Sequence, residues 1–337
     1  MLRKNNLEHS KIRLAIAERG NRIRGNLRRA IISGVRNSEL LLILDEISLK
    51  WKDNFRPALT SMSCEAVGGH IAEADNAGLV FTLASAGFGI HDDIIDSSPH
   101  KHFRTTLLGH HGIDTALLVG DLLIVKAWTI VQEMTRTNQN PTKIATAFKT
   151  YGNLNVEICE AEFMETLCRK KLDTNLNYRK KILWKAMAET EACTRIGAIL
   201  GNGSDKEVEA LAKFGRSLGF IYRLSDEVKD SINIEGNLPH RIEHESVPLP
   251  LLFAAKSSEK RHAKIKSIIE KSHITPSNIR ELVEICFESK AFAYMCDIAR
   301  KKEVEATRNL NLLKPSNAST ILSLMVRRSY DIIATLP

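Results

Sequence analysis

Two short acidic stretches carry the residues with the most chemistry to offer. "GIHDDIIDSSPHKHFRTT" groups Asp92, Asp93 and Asp96, and "SDEVKD" groups Asp226, Glu227 and Asp230. Residues i and i+4 of an α-helix share a face, so Asp92 stacks with Asp96, and Asp226 with Asp230. Like charges at that spacing repel by about a few tenths of a kcal/mol when solvated, and by more when partly buried. A divalent cation removes that cost. Carboxylates are hard oxygen donors, and Mg²⁺ is held by one or two of them together with waters and substrate phosphates. Two such pairs facing each other across a helical bundle would make a Mg²⁺-bridged diphosphate site. Either stretch alone reads more simply as an acidic helix end with ordinary salt bridges; it is the recurrence of the same D-x-x-x-D spacing after apolar helix that favours the metal site.

The elements that must position these groups are helical. "SELLLILDEISLKW", "TALLVGDLLIVKAWTIVQEM", "NLNVEICEAEFMETLCRKK", "KILWKAMAETEACTRIGAIL" and "KEVEALAKFGRSLGFIYRLSDEVKDSI" space apolar residues three and four apart over several turns. Sustained strand-like alternation is missing. Breaks are expected at "NQNPT", "GNGSD", "IEGNLPHRIEHESVPLP" and "SHITPSN", where glycine, proline and asparagine favour turns and helix starts. No shift of composition, low-complexity tract or fixed-period repeat divides the chain. The expectation is therefore one all-α domain over residues 1–337, a bundle of about ten to twelve helices. It begins with a basic helical segment at 1–36 and ends with helices over 300–337.

The 337 residues are 43% hydrophobic and 26% charged, as in globular proteins, with 48 Lys and Arg against 40 Asp and Glu for a net charge of +8. The excess is concentrated early, in Arg3, Lys4, Lys11, Arg13, Arg19, Arg22, Arg24, Arg28 and Arg29. A solvated helix face is the simpler reading of that run, with peripheral membrane contact left open. Nucleic acid is not expected as a partner, because no aromatic-rich module or DNA-binding motif accompanies the charge. Cys64, Cys159, Cys168, Cys193, Cys286 and Cys296 form no CxxC pair and read as core fillers in a reducing compartment, so a cytoplasmic location is expected. No apolar run approaches about 18 uninterrupted residues, and the N-terminus lacks the apolar stretch of a signal peptide. His100, His102, His110 and His111 have no further cysteine or histidine at zinc-ligand spacing, and a zinc site is not expected.

"HDDIIDSSP", "LLVGDLL", "KAMAETEACTRIGAIL" and "GRSLGFIYRLSDEVKD", in that order, resemble the trans-isoprenyl diphosphate synthases, the polyprenyl synthetase family. The likeness runs from "NFRPAL" near residue 54 to about residue 300. Its second motif reads DExxD where the family has DDxxD. The resemblance implies an isoprenoid-synthase-type bundle around a deep apolar cavity, with the two acidic motifs facing each other at its mouth. It also implies three Mg²⁺ ions bridging the aspartates to an allylic prenyl diphosphate. The C–O bond of that substrate breaks, and isopentenyl diphosphate attacks the allylic cation. Asp92, Asp96 and Asp226 are the first metal ligands by position, with Asp93 and Asp230 next. A homodimer is also implied, since bundles of this class pair through long apolar helices.

Carried over position by position, Lys185 matches a lysine that contacts the allylic diphosphate. Lys101 replaces the first arginine of an Arg-Arg pair, and Arg223 replaces a glutamine before the second motif. Ser246 stands where a lysine is expected, leaving Arg241 or Lys229 to substitute. The isopentenyl diphosphate pocket departs further. Arg56 remains, but Asp53 takes a lysine position with Lys52 beside it, Ser85 takes a histidine position, and His102 replaces the second arginine. Histidine gives up a bidentate fork and, near neutral pH, most of the charge.

Three readings follow. The first is a prenyltransferase whose rearranged isopentenyl site uses Lys52, Arg56, His100, His102 and Arg104. The second is a lyase or cyclase that ionises an allylic diphosphate without isopentenyl diphosphate. The third is a non-catalytic partner subunit. The motif spelling favours the first. Phe88, one turn before Asp92 and flanked by Gly87 and Gly89, could floor the cavity and limit the product to about C10 to C20, or could simply pack in the core. Asp121 and Glu162 read as buried hydrogen-bonding or capping groups.

Overall fold

A computed structural model describes residues 2–51, 53–101, 104–138, 140–172, 175–176 and 181–335. Lys52 and His102 lie outside the described residues. The chain is all-α, as the periodicity predicts. It divides into two compact units, one formed by 1–152, 192–212 and 310–324 and the other by 153–191, 213–309 and 325–337.

The first unit opens with α1 (Leu2–Ile32), α2 (Ser38–Lys50) and α3 (Phe55–Ala66), then α4 (Asp75–Ile95) and α5 (Leu107–Thr137). Asn37 starts α2 by accepting from the Leu40 N–H, and Thr106 starts α5 by accepting from the Gly109 N–H. α4 is buried without a break from Ala77 to Gly87. The stretch 71–95 is long and apolar enough to cross a membrane by composition, yet 61% of its apolar window is buried within the structure, as in a core helix. Its closest neighbour is α5. A Cβ on Gly87 would lie 2.7 Å from the Gly120 carbonyl oxygen, so the two backbones meet where neither has a side chain.

The basic run on α1 is only partly a solvated face. Arg19 is buried against Glu65 at 2.6 Å, Arg22 pairs with Asp75 at 2.8 Å, and Arg28 pairs with Asp45. Lys11, Arg13, Arg24 and Arg29 remain exposed.

α6 (Pro141–Leu167), α7 (Trp184–Leu200) and α8 (Asp205–Ile232) each have residues assigned to both units. They are followed by α9 (Leu238–His244), α10 (Leu249–Ser257), α11 (Glu259–Ile269), α12 (Pro276–Glu288), α13 (Ala291–Leu310) and α14 (Asn317–Thr335). Fourteen α-helices are thus present among the described residues, more than the ten to twelve expected. Part of the excess lies in 234–250, which reads as a break but contains α9. Pro239 sits in the first turn of that helix, where a missing N–H costs nothing. In the second unit Thr190 Oγ1 donates to the Gly215 carbonyl at 2.7 Å, joining α7 to α8. Thr275 and Asn278 form a reciprocal capping box that starts α12.

Cys64, Cys168, Cys193 and Cys286 are buried, and burial pushes the Cys64 thiol up to about 12. Cys159 is exposed and Cys296 half-buried, so those two are not the core fillers expected.

Candidate active site

The first acidic set occupies the end of α4. Asp92 and Asp93 lie in the last turn and Asp96 caps it, its N–H donating to the Asp92 carbonyl at 2.8 Å. Ser97 then takes a left-handed conformation at φ 51°, and Ser98 N–H donates to the Asp93 carbonyl. This reversal leads into a small antiparallel hairpin, β1 (His100–Lys101) and β2 (Arg104–Thr105), in which Lys101 faces Arg104. The hairpin returns Lys101 over the helix end. Its Nζ lies 3.0 Å from Asp92 Oδ2, 2.9 Å from Asp93 Oδ1 and 3.9 Å from Asp96 Oδ2.

Burial raises the Asp93 carboxyl above its ordinary value, with Lys101 working in the opposite direction. Burial likewise opposes charge on Lys101, but Asp92 and Asp93 hold it above the usual lysine range. Asp96 is buried, Asp92 and Asp93 are half-buried, and His100 and Arg104 are exposed. Phe88 is half-buried one turn before Asp92. Asp121 is 62% exposed, not buried as expected, and its Oδ1 lies 3.4 Å from His91 Nε2.

Arg56, in the first turn of α3, points at an anion. Its Nη1 lies 3.1 Å from Asp53 Oδ2, while Asp53 Oδ1 accepts the N–H of Phe55 at 3.0 Å. The aspartate at a lysine position therefore caps a helix and neutralises the arginine that remains. Ser85 is buried within α4.

The second acidic set lies in the last two turns of α8, and its three members face different surroundings. Asp226 is half-buried beside Lys229 at 3.2 Å. Asp230 and Glu227 both bind the guanidinium of Arg241, which is 3% exposed and also 3.5 Å from Glu245. Glu227 is buried and accepts the Leu249 N–H at 2.9 Å, which satisfies a free donor at the start of α10. The extra methylene of glutamate in DExxD thus reaches inward to a cap and a buried arginine.

Sequence reasoning missed the group around which this region is organised, Glu165 on α6. It is buried, accepts from Ser246 Oγ at 2.7 Å, and lies 3.7 Å from Lys185, 3.7 Å from Arg223 and 3.9 Å from Arg241. Burial alone would raise its carboxyl, but Lys185, Arg223 and Arg241 together hold it down at about 2. Burial and the neighbouring Arg241 oppose charge on Arg223, but Glu227 and Glu165 keep it above the ordinary arginine value. Lys185 also binds Glu162. Arg241 and Lys229, the two candidates to replace the cation lost at Ser246, both contact the second acidic set. The only local signal for Glu165 was its place in "EAEFMET", where it reads as polar helix face.

In chemical type the donors of the first acidic set, hard carboxylate oxygens, are the ones Mg²⁺ takes. Three hard carboxylates converge on one turn, and an ammonium stands among them as a cation in place. Among the described residues no three carboxylate, histidine or cysteine side chains form a ready metal cage.

The all-α architecture is of the isoprenoid-synthase type, as its likeness to solved structures shows. The chain superposes on geranylgeranyl pyrophosphate synthetase from Pyrococcus horikoshii with a TM-score of 0.82 at 23% identity, covering 95% of this chain and 98% of that one. A decaprenyl diphosphate synthase from Rhodobacter capsulatus gives 0.83 at 18% identity, covering 96% and 98%. A short chain isoprenyl diphosphate synthase of Methanothermobacter thermautotrophicus is 26% identical over 303 residues, 88% of this chain and 91% of the relative. The polyprenyl synthetase family model matches residues 43–286. The chain belongs to the polyprenyl synthetase family, a family of prenyltransferases.

Proposed function

We propose that this protein is an isoprenyl diphosphate synthase that joins an allylic prenyl diphosphate to isopentenyl diphosphate, releasing inorganic diphosphate and a product of about C10 to C20. The observation that carries this reading is the carboxylate cluster on the last turn of α4, with Lys101 Nζ between Asp92 and Asp93. In this reading Asp92, Asp93, Asp96 and Asp226 would hold Mg²⁺, with Asp230 contributing where Arg241 leaves it a free lone pair. Mg²⁺ when bound supplies Lewis-acid neutralisation of the departing diphosphate. In this reading Lys101, Lys185 and Arg223 would supply positive charge to that diphosphate; Arg104 and His100 lie beside Lys101 on the hairpin. The ionised Glu165 holds Lys185 and Arg223 in place.

Product length rests on Phe88, one turn before the cluster. The relatives include a short chain isoprenyl diphosphate synthase, geranylgeranyl diphosphate synthases and an octaprenyl diphosphate synthase, so their names span the range rather than fix it. Replacing Phe88 with alanine should lengthen the product. Ile113, Leu117, Leu118 and Val125 are exposed along the part of α5 that follows its kink at Gly112, which supports a homodimer. The free thiols support a reducing, cytoplasmic setting.

The pairing of Arg56 with Asp53 favours a second reading, in which an allylic diphosphate is ionised and its cation quenched without isopentenyl diphosphate. Incubation with Mg²⁺ and geranyl, farnesyl or geranylgeranyl diphosphate, with and without isopentenyl diphosphate, separates the two. Elongation that requires isopentenyl diphosphate supports the synthase. Hydrocarbon or alcohol formed without it supports the lyase, and inactivity rescued by a partner chain would mark a non-catalytic subunit.

A further inference from the structure

Resting on the reading that Asp92, Asp93 and Asp96 take a divalent metal, we infer that Lys101 is the resident counter-ion of that triad and exchanges it for diphosphate when metal binds. One ammonium lies within 4 Å of all three carboxylates, at 3.0, 2.9 and 3.9 Å. That positive charge offsets the mutual repulsion of three carboxylates at one helix end, one of them buried. Lys101 therefore contributes to holding the metal-free triad together, most closely at Asp92 and Asp93.

Its place in the fold also lets it leave. Lys101 is 33% exposed and sits on a two-residue strand, so the ammonium moves on its own flexible stem without unfolding a helix. A divalent cation on the same oxygens repels the ammonium at about 332/(ε·r) kcal/mol per pair of unit charges and takes its partners. A diphosphate bound to that metal offers the displaced ammonium new acceptors.

Two consequences follow. Metal alone binds against the competing ammonium, so Lys101 weakens it. Metal with diphosphate binds with the ammonium's help, so Lys101 strengthens it. Lys101 thereby couples the two ligands, each raising the affinity for the other by the same factor.

The test is calorimetric titration of the full chain with Mg²⁺, alone and in the presence of inorganic diphosphate, for wild type, Lys101→Met and Lys101→Gln. Lys101→Met should bind Mg²⁺ alone about three- to tenfold more tightly than wild type, and the tightening produced by diphosphate should shrink by about tenfold. Lys101→Gln should behave in the same way, and serves in its place should the methionine variant fail to fold. Unchanged or weaker Mg²⁺ binding in a folded variant, or undiminished tightening by diphosphate, overturns the inference. An Asp92→Asn, Asp96→Asn double variant that binds Mg²⁺ as wild type does would instead overturn the metal placement on which it rests.

Discussion

The two acidic sets share the D-x-x-x-D spacing and differ in the cation that answers them. The first is met by Lys101, a third exposed, on a short hairpin. The second is met by Arg241, 3% exposed, which binds Glu227 and Asp230 and stands near Glu245 and Glu165. A compact ammonium on a flexible stem can trade partners, whereas a planar guanidinium held by several buried carboxylates is part of the framework. Identical spacing therefore gives a replaceable counter-ion at one site and a fixed one at the other. Asp226, paired only with the half-buried Lys229 in the contacts described, is the member of the second set closest in character to the first.

The difference can be broken at several points. Arg241→Met should have the largest effect, about 3–5 kcal/mol lost in urea unfolding, because it leaves buried carboxylates without their partner. A loss below about 1 kcal/mol would place Arg241 in the same replaceable class as Lys101. Glu165→Gln should come next and show itself through pH. The folded-state carboxyl lies below its ordinary value, so its contribution is present above about 4.5 and lost as pH falls towards about 2. Wild-type stability should fall through that window, and the variant should be less stable at neutral pH and flatter in acid.

Glu227→Asp, which restores the spelling expected from the family, should cost about 1–2 kcal/mol in thermal melts because the shorter arm loses the Leu249 N–H. An unchanged melting temperature with higher activity would make position 227 a metal ligand instead. Lys101→Met should have the smallest effect, about 0.5–1 kcal/mol in the absence of metal, and Mg²⁺ should abolish it.

Much of this was legible in the sequence. The helices follow from apolar spacing of three and four, and the acidic sets stand out because i, i+4 carboxylates in apolar context need an explanation. Asp53, Glu165 and Arg241 acquire their roles through pairings that periodicity cannot report. Glu165 meets Ser246 across 81 positions and Glu227 meets Leu249 across 22. Proline misled at 234–250, since the same residue that breaks a helix interior is favoured in a first turn. Asp121 reads as buried because the apolar run around it does not report which face of α5 it occupies, and that face is exposed.

A crystal structure of the full chain soaked with Mg²⁺ and inorganic diphosphate tests the contrast between the two sites most directly. Metal should replace Lys101 Nζ among Asp92, Asp93 and Asp96, with that nitrogen now on a phosphate oxygen, while Arg241 keeps Glu227 and Asp230. Metal bound with Lys101 still on the aspartates, or with Arg241 driven from Glu227 and Asp230, would contradict it.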